Sequence, residues 1–137
     1  VPNSRKRIQQ LLDDYRKNLL EPSPDAPSNV CRAYNCIKEH LFSKKLTVRW
    51  IKSQCNLNGN NFSAKFKYFM GKPPRSYILE HRLKAAAQVL KQIDSGSYSL
   101  LELAYTVGFN SHSAFSRSFK RVMGKTPTEF KASENVK

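Results

Sequence analysis

The chain has 137 residues, enough for one domain or two very small ones sharing a spine, and too few for an enzyme built on a barrel or a doubly wound sheet. Lys and Arg total 24 against 10 Asp and Glu, a formal net charge of +14; a field this one-sided is kept chiefly when the partner is a polyanion, with nucleic acid the first candidate. With only five Gly, aliphatic residues at helical spacing and no alternating β-branched runs, the expected fold is all-α: two helix-turn-helix units joined by a long central helix and preceded by N-terminal helices.

The N-terminal stretch SRKRIQQLLDDYRKNLL, residues 4–20, places Ile8, Leu11, Leu12, Tyr15, Leu19 and Leu20 on one face, with Ser4 as a cap. This amphipathic helix either covers the rest of the domain or serves as a dimer or linker element. Residues 21–29, EPSPDAPSN, hold three Pro and two Ser and read as a linker. A second helix is expected over roughly 30–42, with Val30, Tyr34, Ile37 and Leu41 inward. Residues 1–43 carry a net charge of only +2 and the remainder +12, and no acidic residue lies between Glu39 and Glu80. The positive field therefore belongs to the C-terminal two thirds.

There the chain repeats itself. FSAKFKYFMGKPPRSY, residues 62–77, matches FSRSFKRVMGKTPTEF, residues 115–130, at eight of sixteen positions. Upstream of each, a Ser or Thr can cap a short helix: TVRWIKSQCNL, residues 47–57, aligns with SLLELAYTVGF, residues 99–109. Asn56 and Gly108 supply the tight turn, Leu57 and Phe109 plug its corner, and a second helix follows at about 59–69 and 111–122. Helix, short turn, helix is the helix-turn-helix unit, present twice. Phe62 with Phe66, and Phe115 with Phe119, pin each second helix to the core; Gly71 and Gly124 end it, and Pro74 and Pro127 open the next. Trp50 falls beside the core positions and either packs on the N-terminal helices, the favoured reading, or lies against a nucleic acid's sugar-phosphate backbone. Between the copies, residues 75 to about 93 read as one helix with Leu79, Leu83, Ala86, Ala87, Leu90 and Ile93 on its apolar face. The expected division is thus 1–20, linker 21–29, a first unit over 30–75, a connecting helix over 76–94 and a second unit over 95–137.

These features resemble the DNA-binding domain of the AraC/XylS family of bacterial transcription regulators. The resemblance covers residues 44 to about 131 and is strongest in ELAYTVGFNSHSAFSRSFKRVMGKTPTEF, residues 102–130, where Ala104, Gly108, Phe109, Ser111, Phe115, Arg117, Phe119, Lys120, Gly124 and Pro127 fit the family signature. Arg82, Leu83 and Ala86 fit its connecting helix. The first copy departs from the pattern, with Lys52 opposite Ala104, Asn56 at the turn and Ala64 opposite Arg117. The second unit is accordingly expected to carry more of the sequence discrimination.

A recognition helix presents its N-terminal turns to base edges in the major groove. With the Phe pairs buried, the base-reading candidates are Asn60, Ser63 and Ala64 in the first unit and His112, Ser113, Ser116 and Arg117 in the second. Lys44, Lys45, Lys67, Lys120 and Arg121 are the phosphate candidates. The partner implied is double-stranded DNA, with RNA polymerase contacted at a promoter, and the location is cytoplasmic. Val1 in place of Met suggests a C-terminal piece, with a homodimer or an upstream sensor domain left open.

No cofactor, metal or catalytic group is expected. Cys31, Cys36 and Cys55 have no ligand spacing with His40, His81 or His112 and read as reduced thiols. They are also too few for the four-cysteine zinc site of Ada-type repair regulators, the enzyme class closest to this pattern. No apolar run reaches the ~20 residues needed to span a bilayer. An architectural or weakly specific DNA binder is the competing reading, since charge alone would suffice for it.

Overall fold

The computed structural model describes residues 4–57 and 61–135, which contain helices and no strand. In chain order they are α1 (Ser4–Lys17), α2 (Ser28–His40), α3 (Val48–Gln54), α4 (Phe62–Met70), α5 (Pro74–Gln92), α6 (Leu100–Thr106), α7 (His112–Met123) and α8 (Pro127–Asn135), with a single 3-10 turn at Ser95–Ser97. Asn60 lies outside the described residues.

Two hydrophobic cores share α5 as their common wall. The first gathers Val30, Tyr34 and Ile37 of α2, Ile51 of α3, Phe62 and Phe66 of α4, and Tyr77 and Ile78 from the start of α5. The second gathers Leu83, Ala86, Val89 and Leu90 from the rest of α5, Ile93 just past its end, Leu103 and Ala104 of α6, and Phe115 and Phe119 of α7. The helix that separates the units therefore also buries the apolar faces of both. At ~1.5 Å per residue its 19 residues span about 28 Å.

The repeat seen in the sequence is a repeat of local chemistry. The Thr47 hydroxyl accepts from the Trp50 amide at 3.1 Å and the Ser99 hydroxyl from the Glu102 amide at 3.0 Å, which starts α3 and α6 in the same way. Each of these helices ends in a left-handed residue, Asn56 at φ 53° and Gly108 at φ 106°. The next amide then reaches back five residues, Leu57 to the Lys52 carbonyl and Phe109 to the Ala104 carbonyl, both at 2.9 Å. The copies differ where the last helix of each begins. Thr126 and Glu129 form a reciprocal capping box ahead of α8, with bonds of 3.1 and 2.9 Å, whereas α5 starts at a Pro pair.

Helix α1 runs antiparallel to α5 and straps the two cores together. Ile8 and Leu12 enter the second core, Leu19, just past the helix end, enters the first, and Tyr15 touches both. Covering the domain is thus a role that α1 performs. Three sequence expectations change here. The helix stops at Lys17, so the periodicity does not carry on to Leu20, which is 86% exposed. Ser4 lies within the helix and is buried instead of capping it. Helix α2 begins at Ser28, inside the stretch expected to be linker. Trp50 packs against the first core and meets the His40 ring edge-on, with centroids 5.0 Å apart, so it is seated on α2 as expected.

The strap carries a titratable contact. The Tyr15 hydroxyl lies 2.8 Å from His81 Nδ1 of α5 and donates to it when that nitrogen is unprotonated. The Tyr77 ring also packs against the imidazole, tilted by 57° with centroids 4.4 Å apart. Burial lowers the His81 pKa; Glu80 opposes the shift, and Lys84 and Lys72 reinforce it. Burial and Glu80 together push the Tyr15 phenol up to about 12, so it stays a neutral donor. Because the unfolded chain takes up the His81 proton first, this contribution to stability is complete above the ordinary histidine value. It is lost as pH falls toward the lower folded value. The thermal midpoint should therefore drop as pH falls below the ordinary histidine range, and His81→Gln should flatten that slope. Equal slopes in the two proteins would rule out the contact as its cause.

Candidate nucleic-acid interface

The phase of each recognition helix is set by its buried phenylalanines. With Phe115 and Phe119 fully buried, α7 turns His112, Ser113, Arg117, Lys120 and Arg121 to solvent and leaves Ser116 half-buried. With Phe62 and Phe66 buried, α4 exposes Ser63, Ala64, Lys65, Lys67 and Tyr68. The described base-reading and phosphate candidates on these helices are thus accessible, and Lys44 and Lys45 are exposed in the loop before α3. Ser111 caps α7 by accepting from the Ala114 amide at 3.1 Å, whereas Asn61 ahead of α4 makes no side-chain cap bond. The second recognition helix is the better anchored at its reading end.

Charge is sorted across the molecule. The ion pairs among the described residues use Asp13, Glu21 and Glu80, which serve Arg16, Lys38, Lys72 and Lys84 around α1, α2 and α5. None of these pairs involves Arg75, Arg117, Lys120 or Arg121. The Lys44 ammonium instead lies over the Tyr105 ring, 4.2 Å from its centroid.

A cleft of about 650 Å³ opens between the start of the first unit and α7. Lys44, Arg117 and Arg121 line it together with Arg75 and Arg82 of α5. Lys45 does not line it. Ser116, Arg117, Lys120 and Arg121 also share a shallow outer surface with Thr126.

Arg82 is the one charged side chain buried among the described residues, at 7% exposure. Its Nε donates to the Leu41 carbonyl at 2.7 Å, Nη2 to the Ser43 carbonyl at 2.8 Å and Nη1 to the Gly108 carbonyl at 3.4 Å. One guanidinium thus holds the end of the first unit's α2 and the turn of the second unit's motif. Burial lowers its pKa to about 10, which leaves it charged at neutral pH. A Cβ added at Gly108 would stand 2.8 Å from the guanidinium carbon, so the turn needs glycine for space as well as for its positive φ.

Helical periodicity gives no signal for Arg82, because a charged residue on an amphipathic helix is assigned to the surface. Arg75 was visible only as part of the acid-free basic run. Tyr68, at 81% exposure, is the most exposed aromatic on either recognition helix, and its ring meets Phe69 edge-on at 4.9 Å. Its pairing with Arg121 in the internal repeat was the available clue.

Two capped helix-turn-helix units on one spine, with basic, carboxylate-free outer helices, define a double helix-turn-helix DNA-binding domain. A family described as a helix-turn-helix domain matches residues 53–133. Over 125 residues the chain is 36% identical to LumQ of Photobacterium leiognathi, a transcriptional regulator by name; the match covers 91% of this chain and 46% of that protein. The chain spans less than half the length of such curated relatives. The DNA-binding domain of AdpA, solved in complex with a target DNA, superposes with a TM-score of 0.70 at 23% identity, over 80% of this chain and 96% of that one. A transcriptional regulator from Chromobacterium violaceum with an AraC-type DNA-binding domain superposes with a TM-score of 0.62 at 25% identity, over 77% and 91%. The chain belongs to the AraC-type helix-turn-helix family of transcription regulators. Among the described residues no helix is long and apolar enough to cross a membrane.

Gly108→Ala should destabilise the fold by at least ~1–3 kcal/mol from backbone strain alone. Arg82→Lys, which keeps the charge but not the planar fork, should cost ~1–3 kcal/mol for the carbonyl left unpaired. Urea unfolding followed at Trp50, the sole tryptophan, would measure both; midpoints equal to wild type would show that the clamp is incidental.

Proposed function

We propose that this chain is the promoter-reading part of a longer transcription regulator and places α4 and α7 in successive major grooves on one face of the duplex. The observation that carries the reading is the paired outer helices, each fixed in phase by buried phenylalanines and each carrying unpaired cations outward. Their fold likeness to a domain solved on its target DNA supports it. Recognition helices one turn of duplex apart stand ~34 Å from each other. If a spine of about 28 Å holds them closer than that, either the duplex bends or one helix seats off-centre.

In this reading Arg117 donates two bonds to a guanine edge, the most specific contact its side chain can make. Ser113 and Ser116 bond bases or phosphates beside it, and His112 meets the backbone or a base at the helix start. Ala64 rests on a thymine methyl, with Ser63 as its polar neighbour and Asn60 suited to adenine. Lys67, Lys120, Lys44, Lys45 and Arg121 hold phosphates, which fix position without reading sequence. RNA polymerase is the downstream partner, recruited or occluded by the bound chain. The relatives' greater length leaves room for a sensing or dimerising domain in the whole protein.

Selection of sites from randomised duplexes tests this directly. The expected motif has two blocks about one helical turn apart, and Arg117→Ala should erase one block and cost ~1–3 kcal/mol of discrimination there, roughly 5- to 150-fold. Lys120→Ala should instead weaken all sequences alike and lower the salt slope by about 1. Tight, salt-sensitive binding with no enriched motif would replace the regulator reading with the architectural one.

A further inference from the structure

The cleft between the first unit and α7 has more positive charge than either recognition helix needs. Four guanidinia and one ammonium line it, from Lys44, Arg75, Arg82, Arg117 and Arg121, and no carboxylate does. Arg82 is neutralised only by carbonyl dipoles, so its full charge acts within the cleft at neutral pH. Like charges gathered between low-dielectric walls repel one another in the free protein and focus a positive field outward. Such an arrangement persists where an anion fills it.

Arg75 sharpens the case. It is the second residue of α5, whose first turn holds no acidic side chain, so it places a cation at the positive end of a helix dipole. It is exposed and makes no hydrogen bond or ion pair among the described residues that would compensate. Its position opposes folding while aiming charge at the cleft. Between the cations the wall is mixed, with apolar faces from Leu46, Val48 and Phe109 beside the polar Thr47, Asn110 and Ser118. A phosphate flanked by deoxyribose carbon faces matches such a wall, and a bare inorganic phosphate does not. The volume of about 650 Å³ also exceeds what one isolated phosphate would fill.

We propose that this cleft is a phosphodiester seat: it takes the sugar-phosphate backbone of the duplex where it passes between the two recognition helices, with Arg75 and Arg121 gripping one phosphate from α5 and α7. The inference rests on the reading of the chain as a duplex-DNA binder. It adds a contact that is blind to sequence and lies outside both recognition helices' grooves. It also gives the two units a shared anchor, so that the backbone is held by both at once.

The test uses the full chain, a selected duplex and the same duplex carrying single uncharged methylphosphonate linkages between the two blocks. Arg75→Ala should weaken binding to the native duplex about tenfold and lower the salt slope by about 1, with the preference for selected over scrambled sequence unchanged. One central methylphosphonate should weaken the wild type by a similar factor and make Arg75→Ala nearly silent. The thermal midpoint of Arg75→Ala should equal or exceed that of the wild type, which separates lost contact from lost fold. Arg121→Ala should repeat the binding pattern.

Losses from Arg75→Ala and from every central methylphosphonate that simply multiply would overturn the seat. So would an Arg75→Ala protein that binds as tightly as wild type. Pyrophosphate titrated into the DNA-free chain separates the other source of the same chemistry. Competition with DNA no stronger than ionic strength explains is expected. Saturable binding lost in Arg75→Ala, with central methylphosphonates leaving DNA affinity untouched, would make the cleft a site for soluble phosphates and refute the proposal. Failure of the wild type to prefer any sequence would sink the regulator reading alone, since the loss of affinity and of salt slope in Arg75→Ala reads the backbone contact on any duplex.

Discussion

The fold turns on one buried guanidinium. Arg82 bonds to Leu41 and Ser43 on one side and Gly108 on the other, at 2.7, 2.8 and 3.4 Å, and so fixes the first unit's entry loop against the second unit's turn. Carbonyl oxygens satisfy the donors without cancelling the charge, as a carboxylate would have done. A single residue thereby sets the relative placement of two DNA-reading elements and leaves positive potential in the cleft between them. Its requirement extends to the sequence of the turn, because any side chain at position 108 would collide with the guanidinium. Glycine is held there by two independent constraints.

Around that clamp, α5 and α1 act as two antiparallel rods that cross both cores. Burying both cores on one continuous helix makes the separation of the recognition helices a property of its length. The strap adds apolar burial from Ile8, Leu12 and Leu19, so the stretch nearest any upstream segment is packed against the same spine that spaces the reading heads. The two units are nevertheless unequal. A serine cap fixes α7 and a capping box opens α8. Asn61 provides no such bond to α4, and a Pro pair replaces the box before α5. Together with Ala64 in place of an arginine, this asymmetry gives the second unit the sharper proposed contacts.

How much of this was legible in the sequence follows from which interactions are local. Helix starts at Thr47 and Ser99, left-handed turns at Asn56 and Gly108, and the Phe pairs that set helix phase all depend on residues within a few positions of each other. Periodicity and turn chemistry therefore carried the double motif and the outward faces of α4 and α7. The end of α1 was misplaced because Leu19 and Leu20 continue the pattern of hydrophobic residues although the helix itself has stopped. The family resemblance singled out Arg82, but its role as a clamp was hidden because its three partners lie 26 to 41 positions away, a distance at which pattern says nothing. The cleft was hidden for the same reason: Lys44, Arg75 and Arg121 meet only once both units are folded on the spine. Charge counting had registered the cations without showing that they converge.

Together the Arg82 clamp and the α5 spine hold the two recognition helices at a fixed spacing. Affinity should be measured on selected duplexes in which single base pairs are inserted or deleted between the two blocks, for the wild type and for an Arg82→Met protein shown by circular dichroism to remain helical. A steep optimum at one spacing for the wild type, flattened in Arg82→Met, is the predicted result. Equally steep spacing dependence in both proteins would remove the clamp's role and assign the geometry to α5 alone.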